Sequence, residues 1–166
     1  MEIKSVIKKL DNNKEFKKWK ADNKDFYLVH AFKMLDECNK DEWQIGYYDS
    51  KEDKMVTFIV EKDDIKMVPE REIFRKEKQE IKKIDLNRIK ISLEKILDLA
   101  KDFTNKEYCG EKSLKTIILL QNLDIGQVWN ITFLTNSFKT LNLKINSENG
   151  KILKHELTSL LQFEAG

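Results

Sequence analysis

Gln127–Leu153, QVWNITFLTNSFKTLNLKINSENGKIL, reads as two strands, a turn, and a hairpin into a third strand. Trp129, Ile131 and Phe133, then Leu141, Leu143 and Ile145, alternate with polar residues, the period of strands with one buried face. An earlier stretch, Trp43–Val68, WQIGYYDSKEDKMVTFIVEKDDIKMV, repeats the layout. Trp43 answers Trp129, Ile45 answers Ile131, and Tyr47 answers Phe133. Met55, Thr57 and Ile59 answer Leu141, Leu143 and Ile145.

The match extends backwards. Leu10-Asp11, Lys14, Glu15 and Phe16 align with Leu97-Asp98, Lys101, Asp102 and Phe103, and Val29 with Leu35-Asp36 aligns with Ile117 and Leu123-Asp124. Each half then reads helix, strand, strand, strand, the kind of self-similarity that marks a duplicated unit. The expected fold class is α+β, two tandem repeats, each an α-helix packed on an antiparallel β-sheet. The expected boundaries are 1–69 for the first repeat, 70–84 for a charged connector and 85–166 for the second repeat.

A chain of 166 residues is one ordinary domain or two small ones, and halves of this size are marginal alone, so a shared core or close packing is expected. The hydrophobic fraction of 40% supports a packed core, and 36% charge with a net of +2 gives a solvated surface of mixed sign. That balance argues against a dedicated polyanion binder. The two cysteines, Cys38 and Cys109, occupy non-equivalent places, so a disulfide framework is not expected and a reduced, cytoplasmic setting fits. The opening MEIKSVIKKLDNNKEF carries charge every few residues and has no apolar signal region, which predicts neither export nor a membrane span.

Ile3, Ile7, Leu10, Phe16 and Trp19 recur at helical spacing, with a break expected near Asp11-Asn12-Asn13. Strands follow at Phe26–Leu35, Trp43–Tyr48 and Met55–Val60, and Pro69 is expected to end a short fourth strand at Met67-Val68. Glu70–Lys83 is a charge-dense helix or extended connector anchored by Ile73, Phe74 and Ile81. Ser92 has the chemistry of an N-cap for a helix burying Leu93, Ile96, Leu97, Ala100 and Phe103. Strands are predicted over Lys115–Asn122, Val128–Leu134 and Thr140–Asn146. Asn149-Gly150 signals a two-residue hairpin, Lys151–Lys154 an edge strand, and Glu156–Phe163 an amphipathic tail.

ISLEKILDLAKDF (Ile91–Phe103), with VWNITFL, LNLKINSENGKIL and the Asn-Gly turn, resembles the PepSY domain pattern of a helix before an antiparallel sheet. The resemblance covers the second half well and the first half weakly, with Asp63-Asp64 standing where Asn149-Gly150 would be expected. It implies a non-enzymatic module that binds or restrains other proteins, and a tandem of such units is similar to the β-lactamase inhibitor protein architecture. The family contributes no catalytic residues.

The face opposite the shared apolar one differs between halves. The second half presents Asn130, Thr132, Asn142, Lys144 and Asn146, whereas the first presents Gln44, Tyr48, Val56, Phe58 and Val60. Apolar patches beyond a few hundred Å² are rarely left bare. These five residues are therefore the expected partner-binding surface, with Tyr48 and Phe58 as anchors, unless the connector or the tail, through Leu157, Leu160, Leu161 and Phe163, covers them. The expected partner is another protein or a second copy of the chain. The alternative is association with nucleic acid through Lys14, Lys17, Lys18 and Lys20 around Trp19, and Lys82, Lys83, Arg88 and Lys90. His30 and His155 lack ligand spacing, and no nucleophile or glycine-rich loop stands out. No catalytic residue, metal, cofactor or small-molecule ligand is therefore expected.

Overall fold

A computed structural model of the protein describes residues 1–36, 42–72 and 80–160. Cys38, Ile73, Phe74, Leu161 and Phe163 lie outside them. Two helices, α1 (Ile3–Asn12) and α2 (Lys14–Asp22), precede four strands, β1 (Tyr27–Leu35), β2 (Trp43–Asp49), β3 (Lys54–Val60) and β4 (Ile65–Glu72). A short 3₁₀ turn at Leu86–Arg88 leads into α3 (Leu93–Glu107). Four more strands follow, β5 (Ser113–Leu123), β6 (Gly126–Thr135), β7 (Lys139–Asn146) and β8 (Ile152–Ser159).

The helix signals are local and hold. Ile3, Val6, Ile7 and Leu10 bury one stripe of α1. Asn13 then takes an extended conformation, and its side chain accepts from the Phe16 amide at 2.9 Å, so one residue ends α1 and starts α2. Ser92 caps α3 by accepting from the Lys95 amide at 3.3 Å.

The expected pair of helix-on-sheet repeats is not what forms. All eight strands join one antiparallel sheet in the order β4-β3-β2-β1-β5-β6-β7-β8, with α1, α2 and α3 on one side. The joint is β1 against β5, in register from His30 opposite Gln121 to Leu35 opposite Thr116. A row of core residues therefore runs without a break across six strands: Phe58, Ile45, Ala31, Leu120, Trp129 and Ile145. Trp43 and Trp129, both fully buried, approach to 6.4 Å between ring centroids across the joint. Neither half has an independent core, and the first half carries two helices where the second carries one.

Three further expectations change. The expected boundary at 69 falls inside β4, because Pro69 does not end the strand. It sits where the β3–β4 register shifts between Met55 and Thr57, on an edge strand, where a missing ladder donor is tolerated. The turn at Asn149-Gly150 is longer than a two-residue hairpin. Only Gly150 has positive φ (74°), and the Asn146 side chain accepts from the Glu148 and Asn149 amides at 2.8 and 3.2 Å. Strand β8 continues to Ser159 instead of giving way to a tail after Lys154.

The segment before α3 is fixed by two buried polar residues of the second half. The Gln127 side chain accepts from the Asp85 amide at 2.8 Å and donates to the Asp85 carbonyl at 3.0 Å. The Ser147 hydroxyl donates to the Arg88 carbonyl at 2.9 Å. Ile84 and Ile89 are thereby held in the core.

Candidate binding surfaces

Among the described residues the helices lie on one side of the sheet, and the other face is open to recognition. Its residues alternate with the core row, so on β1 they are His30, Phe32 and Met34, and on β5 Ile117, Leu119 and Gln121. Phe32 lies opposite Leu119 and Met34 opposite Ile117, making a half-buried apolar band along the central joint. On β3 the same face carries Met55, Thr57 and Ile59.

The five residues expected to form the partner surface divide between the two sides. Gln44 and Tyr48 are on the open face, but Val56, Phe58 and Val60 are on the helix side and at most 2% exposed. The physical reason is one residue of loop length. Trp43 pairs with Val60 and Ile45 with Phe58, and the turn is closed by Asp49 opposite Lys54 with Asp53 in the left-handed region (φ 51°). In the second half Trp129 pairs with Ile145, so Val56, not Met55, is the counterpart of Leu141. A shift of one residue sends every side chain of a strand to the other face. β3 is apolar at both parities, so its own sequence does not fix the choice.

Phe58 packs edge-on to Phe16 (5.0 Å) and Trp19 (4.9 Å), within a cluster that includes Tyr47 and Phe26. Tyr48 is only 4% exposed, stacks edge-on against Tyr27 at 5.8 Å and donates its hydroxyl to Asp53 Oδ1 at 2.5 Å. It is not an exposed anchor. Gln44 donates to Glu42 Oε1 at 2.9 Å.

Near Gln44 the open face is hollowed into a groove of about 430 Å³, lined by apolar Val29, Phe32, Met55, Ile81 and Leu119 with polar His30, Gln44 and Gln121. Its floor depends on Gly46, since a Cβ there would stand 2.1 Å from His30 Cε1. Burial lowers the His30 pKa below its ordinary value, which favours the neutral ring. Ile81, in the described part of the connector, enters the groove edge, and its carbonyl accepts from the Tyr27 hydroxyl at 3.0 Å.

Beside the groove the second half provides a polar ladder, as its alternation predicts. Asn130 donates to Gln121 Oε1 at 2.9 Å, Asn142 donates to Asn130 and Thr132, and Lys144 donates to Asn142 at 3.0 Å. Nothing in the spacing of single residues announced this ladder. The signal was the repeated Asn and Thr at one strand parity.

A second cleft, about 720 Å³, opens beside α1 and α2 and brings Lys20, Lys24 and Lys83 together with Asp11, Asp25 and Asp85. Part of both expected lysine clusters therefore converges. Lys20 donates to the Phe26 carbonyl, and burial first, then the nearby Lys83, lowers its pKa. Other members are engaged elsewhere: Lys82 with Asp124 at 2.7 Å, Arg88 with Glu148 at 3.1 Å and Lys90 with Glu148 at 3.8 Å. Trp19 is half-buried and packs in the Phe58 cluster, which occupies ring surface that stacking on bases would use.

His155 lies on β8, with Nδ1 2.6 Å from the Tyr108 hydroxyl and Phe103 edge-on at 4.9 Å. Among the described residues no group of His, Cys, Asp and Glu could hold a metal ion, and no helix is long and apolar enough to cross a membrane.

No protein-family model and no curated protein matches this chain. Among solved structures, the crystal structure of a candidate lipoprotein from Clostridium difficile 630 is similar at TM-score 0.58 and 17% identity, over 86% of this chain and 90% of that one. That likeness shows a shared fold.

Proposed function

We propose that the protein is a non-enzymatic binding module that presents the open face of its sheet to a partner protein. The observation that carries this reading is the one-sidedness of the architecture. Helices back one face, while the other offers an apolar band and groove bordered by a hydrogen-bonded polar ladder. An apolar centre with a polar rim is the composition of protein interfaces. The contact surface is then Phe32, Met34, Gln44, Ile117 and Leu119, with Asn130, Asn142 and Lys144 at its border.

The test is retention from a lysate of the source organism by wild type, Leu119→Lys and the helix-side control Lys101→Glu, each shown to be folded by circular dichroism. A protein held by wild type and control, lost with Leu119→Lys and indifferent to nuclease supports the reading. Retention by all three, or retention abolished by nuclease, refutes it.

A further inference from the structure

The sheet has two edges, β4 and β8. An edge strand presents unpaired N–H and C=O groups, and proteins protect it with proline, bulges or charge. β4 has Pro69 and a register shift. β8 has no proline, and its middle reads Leu153-Lys154-His155-Glu156-Leu157, which is its own reverse with the charges exchanged.

The ladder shows which groups point outward. The Leu160 amide donates to the Phe138 carbonyl at 3.0 Å, one step beyond the pair Lys139 and Ser159. Antiparallel pairs alternate between bonded and non-bonded, so Thr158, Glu156 and Lys154 bond inward to β7. His155 and Leu157 turn their N–H and C=O away from the sheet. Lys154, His155 and Glu156 are all exposed, and Leu153 and Leu157 are half-buried.

We propose that β8 pairs antiparallel with β8 of a second copy about a two-fold axis at His155, extending the sheet across the dimer. In that register Lys154 faces Glu156 of the second copy, and by symmetry the pair occurs twice. Leu153 meets Leu157 of the second copy. His155, with its Tyr108 and Phe103 neighbours on the helix side, meets its own counterpart. Edge charges deter association when like meets like, but this register opposes Lys to Glu. On the adjacent strand Lys144 lies opposite Lys154 on the same face, two strands from the incoming Glu156, so the Lys154–Glu156 pair carries the charge match. The register shift next to Leu153 keeps the ladder short, so the association is weak, with a dissociation constant on the order of 10 to 1,000 µM. This edge lies beyond the polar border of the open face and leaves its apolar band uncovered.

Two experiments on the full chain test the pairing. In a Cys38→Ser, Cys109→Ser background, cysteine is placed singly at 154, 155 or 156 and the protein oxidised at about 100 µM. Residues paired across the axis have Cα atoms roughly 5.5 Å apart, inside the range a disulfide spans. The expected result is a covalent dimer for His155→Cys, formed in clear excess over Lys154→Cys and Glu156→Cys. Sedimentation velocity should show reversible dimerisation of wild type. Lys154→Glu, which sets like charges opposite each other twice, should weaken it about tenfold or more, and Lys154→Glu with Glu156→Lys should restore it. A wild type monomeric to about 1 mM overturns the proposal. So does equal cross-linking at all three positions, or a double variant no stronger than Lys154→Glu alone.

Discussion

Replacing Phe58 with Ala separates two registers of β3 that differ by a single residue. Phe58 is 2% exposed and meets Phe16, Trp19 and Tyr47 at centroid distances of 5.0, 4.9 and 6.0 Å. Truncating a buried Phe costs about 3–5 kcal/mol from lost transfer energy and the cavity left behind. Three edge-on aromatic partners place this site in the upper part of that range. Against a typical total of about 5–15 kcal/mol, the variant loses roughly a quarter or more of the stability of the domain. Its neighbour Ile59 is half-buried on the open face, so Ile59→Ala should cost roughly 1–2 kcal/mol. Urea unfolding followed by tryptophan fluorescence measures both, with equal m-values confirming comparable unfolded states. If Ile59→Ala proved the costlier of the two, β3 would be paired one residue away and the assignment of the open face would be wrong.

Gly46→Ala drives a methyl into the His30 ring, so it should destabilise by about 1–3 kcal/mol. Adding His30→Ala should return part of that loss, giving a non-additive double-mutant cycle. Lys139, Ser137 and Thr135 hydrogen-bond Glu111 and hold its carboxyl at about 2 in the folded chain. A depressed folded pKa contributes stability above the unfolded value, lost as pH falls from the ordinary carboxylate range toward 2. Glu111→Gln should therefore flatten the fall in urea midpoint between pH 5 and roughly 2.5, and an unchanged slope would remove Glu111 from the account. Ser92→Ala and Asn13→Ala each delete a side-chain cap and should cost about 1 kcal/mol, read as a lower urea midpoint at constant m.

The sequence by itself determined what local physics controls. The break between α1 and α2 was legible because Asn13 can cap a helix, and the start of α3 because Ser92 can do the same. The buried face of β6 and β7 was legible because Trp129, Ile131, Phe133, Leu141, Leu143 and Ile145 alternate with Asn, Thr and Lys. The same alternation marked the polar side of that half. Tertiary structure alone decided the rest. β1 and β5 were recognisable as strands, but that they pair with each other, fusing the halves into one sheet, depends on partners roughly eighty to ninety residues apart. The face on which Phe58 lies depends on one residue of turn length in a strand apolar at both parities. The convergence of Lys20 with Lys83, and the separation of Gln44 from Phe58, follow from those pairings. Capping and periodicity act within one or two turns of chain, whereas register is fixed by which apolar rows the assembled sheet can bury together.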